Sequence, residues 1–340
     1  MNARLDILSI GMVTAVGLDA PSSCAAMRAR LDGFRETGFV GPRGEWLVGA
    51  PVPMPRNWIG EQRLAHMAAA AICETFDAVP EARGKTALML CLPEGDRQGR
   101  PLHDDATLSE AISRIAKIDL NLHSRIIAHG RPSGHVALDQ ARRLLARETI
   151  PYVLIAGVDS YLTSAALSHY LSAERLLTST NSDGFIPGEA AAAVLCARSL
   201  SGKFQLSGLG LTREPAFIHN GADLPLRGDG MTEAYRMALD ETGIEMNQLG
   251  YRIADLIGET YWFKQTALAN LRLLRGRHDP QDLWSPSESL GNIGAAVVPL
   301  MLGMGWMAAR KGYAAASPIL IEASNDAGAC GAAVFVAREA

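Results

Sequence analysis

Hydrophobic residues along this chain fall into helix-period stretches and short unbroken runs, and the order of these occurs twice. From Gly134 a helical pattern (HVALDQARRLLARE) leads to an apolar run (YVLIAGVDS) and then to GEAAAAVLCAR, Gly188 to Arg198. From Gly291 the order returns as NIGAAVVPLMLGMGWMAARKG, PILIEASND and GAAVFVAR, the last from Gly331 to Arg338. Upstream, LDILSIGMVTAVG (Leu5 to Gly17) matches FQLSGLGLTREPA (Phe204 to Ala216) as a strand with a central glycine. The helix RLAHMAAAAICETF and strand KTALMLCL likewise have counterparts in TEAYRMALDET and YRIADLIGE. Each half therefore reads strand, helix, strand, helix, strand, strand. Residues 1–200 and 201–340 are expected to pack as pseudo-symmetric halves of an α/β fold.

Runs such as VLIAGV and PILIEA follow helical segments and lack alternation, the pattern of strands covered on both faces, so the sheets are expected to be mixed and mostly parallel. Leu290 to Ala309 is uncharged and about as long as a bilayer is thick, but its counterpart in the first half carries Asp139, Arg142 and Arg143. A helix apolar on every side is then expected where sheets cover both its faces, in a layered α/β core. Prolines 42, 51, 53 and 55 mark a surface excursion between Gly33 and Gly60, and LPEGDRQGRPLHDDA reads as a loop before the helix TLSEAISRIAKI. A polar turn, Ser199 to Lys203, separates the halves; it is too short to act as a flexible linker, so one rigid unit is expected.

At 340 residues, 48% hydrophobic, with a net charge of −4, the chain can bury a large core and lacks the basic excess that nucleic acid binding requires. Cys24, Cys73, Cys91, Cys196 and Cys330 are scattered and odd in number, which suggests neither disulfides nor zinc and fits a reducing cytoplasm. No basic stretch followed by an apolar core opens the chain, so no secretory leader is expected. The histidines at 66, 103, 123, 169, 219 and 278 show no H-x-x-H or H-E-x-x-H spacing, and neither a metal nor another cofactor is expected.

The opening SIGMVTAVGLDAPSSCAAMRARLDG and the stretch SDGFIPGEAAAAVLCAR resemble the β-ketoacyl-ACP synthases of the thiolase superfamily, which carry D-G-F-x-x-G-E-G-A before their fifth strand. The resemblance spans the chain and implies a five-layer thiolase-like fold, a homodimer, and acyl-CoA or acyl carrier protein as partners. It also implies a nucleophilic cysteine at the tip of a buried helix, in a context like A-C-S-S-S-L-V-A-L, where backbone N–H groups and the helix dipole stabilise a thiolate and then an oxyanion. Here the run is HGRPSGHVAL, and matching on Val136-Ala137-Leu138 puts Arg131 at the cysteine position. A guanidinium is permanently protonated and cannot attack a thioester.

The histidine that opens H-G-T-G-T in such synthases falls here on Leu256 or Ile257, within LIGETY. The second polar position, in SLGNIGAAVV, is Asn292, in a context like the G-N-x-x-A-A of initiating synthases; the lysine that often precedes it is replaced by Ser287 or Glu288. What the resemblance implies is thus a ketosynthase-like binding or scaffold protein without condensing activity. A second reading is an acyltransferase or thioesterase using Ser133 or Cys330 with Asn292. A third, from family association alone, is an adaptor for a type VI secretion effector.

His129, Arg131, Ser133 and His135 crowd the start of the helix. One reading is a pocket rebuilt around an anion, held by Arg131 and N-terminal amides; the other, favoured by residue type, has Ser133 cap the helix while both histidines make local hydrogen bonds. Ser133 as nucleophile needs His129 or His135 within reach and has no evident orienting carboxylate. Cys330 sits in SNDAGACGAAVF, the equivalent of the synthases' Gly-rich loop, where a small buried residue is the simpler expectation. Asp183 and Glu189 are expected to support turns and neighbouring backbone.

Overall fold

The structure, a computed structural model, describes residues 4–198, 203–276 and 279–338; most of the turn between the halves, and His278, lie outside these residues. In chain order the elements are β1 (Leu5–Val13), α1 (Ala20–Arg28), β2 (Arg35–Val40), β3 (Trp46–Gly49), α2 (Gly60–Asp77), β4 (Thr86–Cys91), α3 (Asp105–Ala116), β5 (Arg125–Ile127), α4 (Ser133–Ala146), β6 (Tyr152–Ser160), α5 (Ser164–Ser172) and β7 (Glu189–Arg198). There follow β8 (Phe204–Arg213), α6 (Asp229–Thr242), β9 (Tyr251–Ala254), α7 (Thr260–Leu273), β10 (Asp282–Trp284), α8 (Ser287–Leu290), α9 (Val297–Lys311), β11 (Ile319–Ser324) and β12 (Ala329–Ala337).

The internal repeat reappears in the sheet. Outward from the centre the strands run β1-β7-β6-β4-β5 on one side and β8-β12-β11-β9-β10 on the other, the same order when each half is numbered from its own first strand. The two sets meet where Leu5 lies opposite Leu206 and Asp6 opposite Gln205. In both sets the two outer pairings are parallel and the two inner ones antiparallel. The expectation of mostly parallel sheets is corrected to this extent. The reason is local: β12 follows β11 through only residues 325–328, too few for a crossover helix, so it must return antiparallel.

Helices fill three layers around the two sets of strands. α2 and α3 cover the outside of the first set, α6 and α7 the outside of the second, and α4 and α9 lie between, each touching strands of both. The even apolarity of α9 follows from that place: Val297 to Met304 are all buried, and Leu5, Ile155, Ile253 and Phe335 belong to the same central core. Each buried Leu or Ile there contributes roughly 1.5–3 kcal/mol. Among the described residues no helix is long and apolar enough to cross a membrane.

Two glycines explain how the outer helices approach so closely. A Cβ added to Gly11 of β1 would lie 2.0 Å from the Ala71 carbonyl oxygen in α2, and one on Gly210 of β8 would lie 2.0 Å from that of Ala234 in α6. Both strands thus need hydrogen at the same position. The surface excursion is more ordered than its prolines suggest, because β2 and β3 pair as a small hairpin. Their mostly exposed, weakly apolar residues gave no periodic signal. α9 also begins later than the apolar run does, since Gly291 and Gly294 adopt positive φ and a short 3-10 turn precedes Val297.

Candidate active site

The tip of α4 lies at the centre of the molecule, and Gly130 makes the turn into it with φ +63°. Its residues divide by direction. Ser133 is the first residue of the helix, not its cap: Pro132 holds the cap position and contributes no side-chain hydrogen bond. The Ser133 hydroxyl accepts from the His129 backbone N–H (3.0 Å) and donates to the Leu92 carbonyl (3.4 Å), tying the helix start to the loop after β4. The His129 carbonyl in turn accepts from Asn325 Nδ2 at 3.0 Å. His135 is fully buried against the second set of strands, its Nε2 3.1 Å from the Ile321 carbonyl and its Nδ1 without a partner. Burial holds its pKa down to about 4, so the ring is neutral and donates from Nε2.

Arg131 points inward. Its side chain is 3% exposed, its guanidinium carbon stands 3.8 Å over the centre of the Trp262 ring, and Nη1 lies 3.2 Å from Asp255 Oδ2. Nη2 reaches Asp326 Oδ1 at 3.4 Å. Asp326 also receives both Nη1 and Nη2 of Arg175, whose Nε and Nη2 each lie 2.7 Å from a carboxylate oxygen of Glu259. Glu259 further accepts from Trp262 Nε1 at 2.8 Å. The result is a chain of charges, Asp255–Arg131–Asp326–Arg175–Glu259, drawn from the turn before α4, the loops after β9 and β11 and the segment after α5.

The electrostatics follow from depth. Burial alone would lower the Arg131 pKa, but Asp255 and Asp326 outweigh it and hold the guanidinium above its ordinary value. Asp326 feels burial too, yet Arg175 and Arg131 pull its pKa below the usual carboxylate range. Asp255 moves the other way: it is deeply buried beside one cation only, and desolvation wins. A second buried pair lies close by, with Arg97 donating to both oxygens of Asp159 at 2.7 and 2.8 Å and lying 4.2 Å over the Tyr161 ring.

Asn292 is buried just ahead of α9, and its Oδ1 accepts from the Gly294 N–H at 3.1 Å, while the next amide, Ala295, donates to Asp159. Ile257 and Leu256 pack into an apolar cluster with Tyr161, Phe185 and Trp262. The residue that leaves β9 toward Arg131 is Asp255, one and two positions earlier than the sequence motif suggested. Cys330 belongs to the core under α6 and α7, 3.9 Å from Gln265 Nε2, whereas its neighbour Gly331 faces the His135 ring on the other side of the strand. Burial pushes the Cys330 thiol up to about 12, so it carries no thiolate at neutral pH.

Asp183 accepts from the backbone and hydroxyl of Thr260 and so caps α7, and Glu189 holds Arg63, Ser160 and the Val52 N–H. Among the described residues no group of His, Cys, Asp and Glu is arranged to hold a metal ion. Clefts of about 680 Å³ and 630 Å³ lie elsewhere, and neither is lined by Arg131, Asp255 or Asp326. What occupies the helix tip is a buried ion network in which two guanidiniums, Arg131 and Arg175, are held by three carboxylates, Asp255, Asp326 and Glu259.

No protein-family model and no curated protein sequence matches the chain. Solved structures do. The ishigamide ketosynthase/chain length factor is 16% identical with a TM-score of 0.78, and all of both chains is covered. A chain from a complex of a type II polyketide synthase acyl-carrier protein with its ketosynthase is 14% identical with a TM-score of 0.81, over 99% of this chain and 100% of that one. A ketosynthase in complex with its chain length factor from Xenorhabdus doucetiae gives 14% identity and 0.76, over 99% and 98%. The chain therefore has the thiolase-like fold of the β-ketoacyl synthases.

Proposed function

We propose that this chain is a ketosynthase-fold protein that has lost condensing activity and serves as a binding or scaffold subunit in fatty acid or polyketide assembly. The observation that carries the reading is Arg131, paired with Asp255 and Asp326 at the helix tip where the resemblance implies a cysteine. Acyl transfer through Ser133 or Cys330 is supported less well, because the serine hydroxyl is engaged by backbone on both sides and the thiol lies across the strand.

The partner sought is a second ketosynthase-fold chain, in the simplest case another copy. β5 ends the sheet, and Leu120, Leu122 and Ile126 around it are exposed, which suits pairing edge to edge. Among the solved relatives are a ketosynthase held by its chain length factor and one held by an acyl-carrier protein. Affinity capture from the native host with the tagged chain tests this. Recovery of a ketosynthase or acyl carrier protein, or self-association that Ile126→Asp abolishes, supports the proposal. A monomer that captures neither overturns it, and capture of a type VI secretion effector instead supports the adaptor reading.

A further inference from the structure

Asp326 stands apart from the other members of the buried network. The side chains of Arg131 and Arg175 are 3% and 8% exposed, and those of Asp255 and Glu259 are 2% and 6%, whereas that of Asp326 is 42% exposed. Its carboxylate is also the only one in the network shared by both arginines, receiving one N–H from Arg131 and two from Arg175. The other two carboxylates each hold a single arginine from beneath.

The two guanidiniums are close enough to repel each other, and each lies against aromatic rings: Trp262 under Arg131, Tyr170 and Phe185 around Arg175. Two desolvated cations fixed by packing and aimed at one point form a preorganised carboxylate receptor. We infer that Asp326 is a self-supplied ligand occupying this two-arginine site from its solvent side, and that a small carboxylate-bearing molecule binds there by displacing it. This rests on the reading of the chain as a binding subunit and names the chemistry it would recognise.

A carboxylate is favoured over a phosphate by what the site already accommodates. Planar Asp326 presents Oδ1 to both arginines and Oδ2 to Arg175, and Asp255 and Glu259 close the far side with negative charge, which suits a monoanion better than a dianion. Because the tethered Asp326 competes as an intramolecular ligand, the intact protein should bind an external carboxylate weakly.

The test is titration with acetate, a monoanion at neutral pH, against methyl phosphate and against sodium chloride at matched ionic strength, followed by thermal midpoint and calorimetry. Asp326→Ala should half-saturate with acetate at a concentration at least tenfold lower than the intact chain, and the paired change Arg131→Gln/Asp255→Asn made in that background should remove the gain. Where Asp326→Ala does not fold, Asp326→Asn should shift the same way. A folded variant whose acetate response equals that of the intact protein overturns the inference. So does a response that survives loss of Arg131, or methyl phosphate binding as tightly as acetate. A flat titration leaves partner capture unaffected, and failed capture leaves the titration unaffected, so the two readings fail separately.

Discussion

Arg131 and Asp255, 124 positions apart in the chain, meet at 3.2 Å in the centre of the molecule, and both are almost wholly buried. Neither can be removed alone without leaving the other charge in a low-dielectric interior. Arg131→Met should therefore destabilise the protein by about 3–5 kcal/mol, and Asp255→Leu by a similar amount. Made together, the two changes should cost far less than their sum. Urea denaturation of the two single variants and the double variant measures this coupling, and additive losses would show that the pair is not a unit.

His135 gives the fold a pH dependence whose sign is fixed by its burial. Its pKa falls from the ordinary 6.5 to about 4, so between those values the unfolded chain binds a proton that the folded chain excludes. Stability from this residue is fully present above about pH 6.5 and is lost as pH falls toward 4, by about 3 kcal/mol in all. Denaturation midpoints at pH 7.5 and 4.5 should show that loss, and His135→Gln should flatten the profile over this window.

The matched glycines of β1 and β8 should behave alike. Gly11→Ala and Gly210→Ala each drive a methyl group into a helix carbonyl that cannot turn aside, so either change should lower the thermal midpoint by several degrees, a cost of about 1–3 kcal/mol. If one variant is neutral, the helix it faces is free to shift outward and the two halves are not packed equivalently.

The repeat, the covered place of α9 and the identity of the residue at the helix tip were legible in the sequence, the first two as matters of period and the third from a short motif. Arg131 follows from one fixed spacing to Val136-Ala137-Leu138. The residues that answer it were not legible. Asp326 is 195 positions from Arg131 and 151 from Arg175, and only the strand order brings them together. At the end of β9 the sequence motif pointed to Leu256 or Ile257, but the strand stops at Ala254, and a shift of one residue there changes which side chain faces the site. Ser133 was expected to cap α4, but the preceding proline occupies the cap and the serine is left to bond across to another loop. Arg175 and Trp262 lie in no motif, and Glu259, though within LIGETY, was not singled out.

The central claim is that no covalent acyl chemistry takes place at this helix tip. The most direct measurement is intact mass spectrometry of the purified protein after incubation with acyl-CoA or acyl carrier protein thioesters and malonyl carrier protein, beside an active ketosynthase treated identically. An unmodified mass, with no ketoacyl product and a modified control, is the predicted result. A stoichiometric acyl adduct with release of product would contradict it.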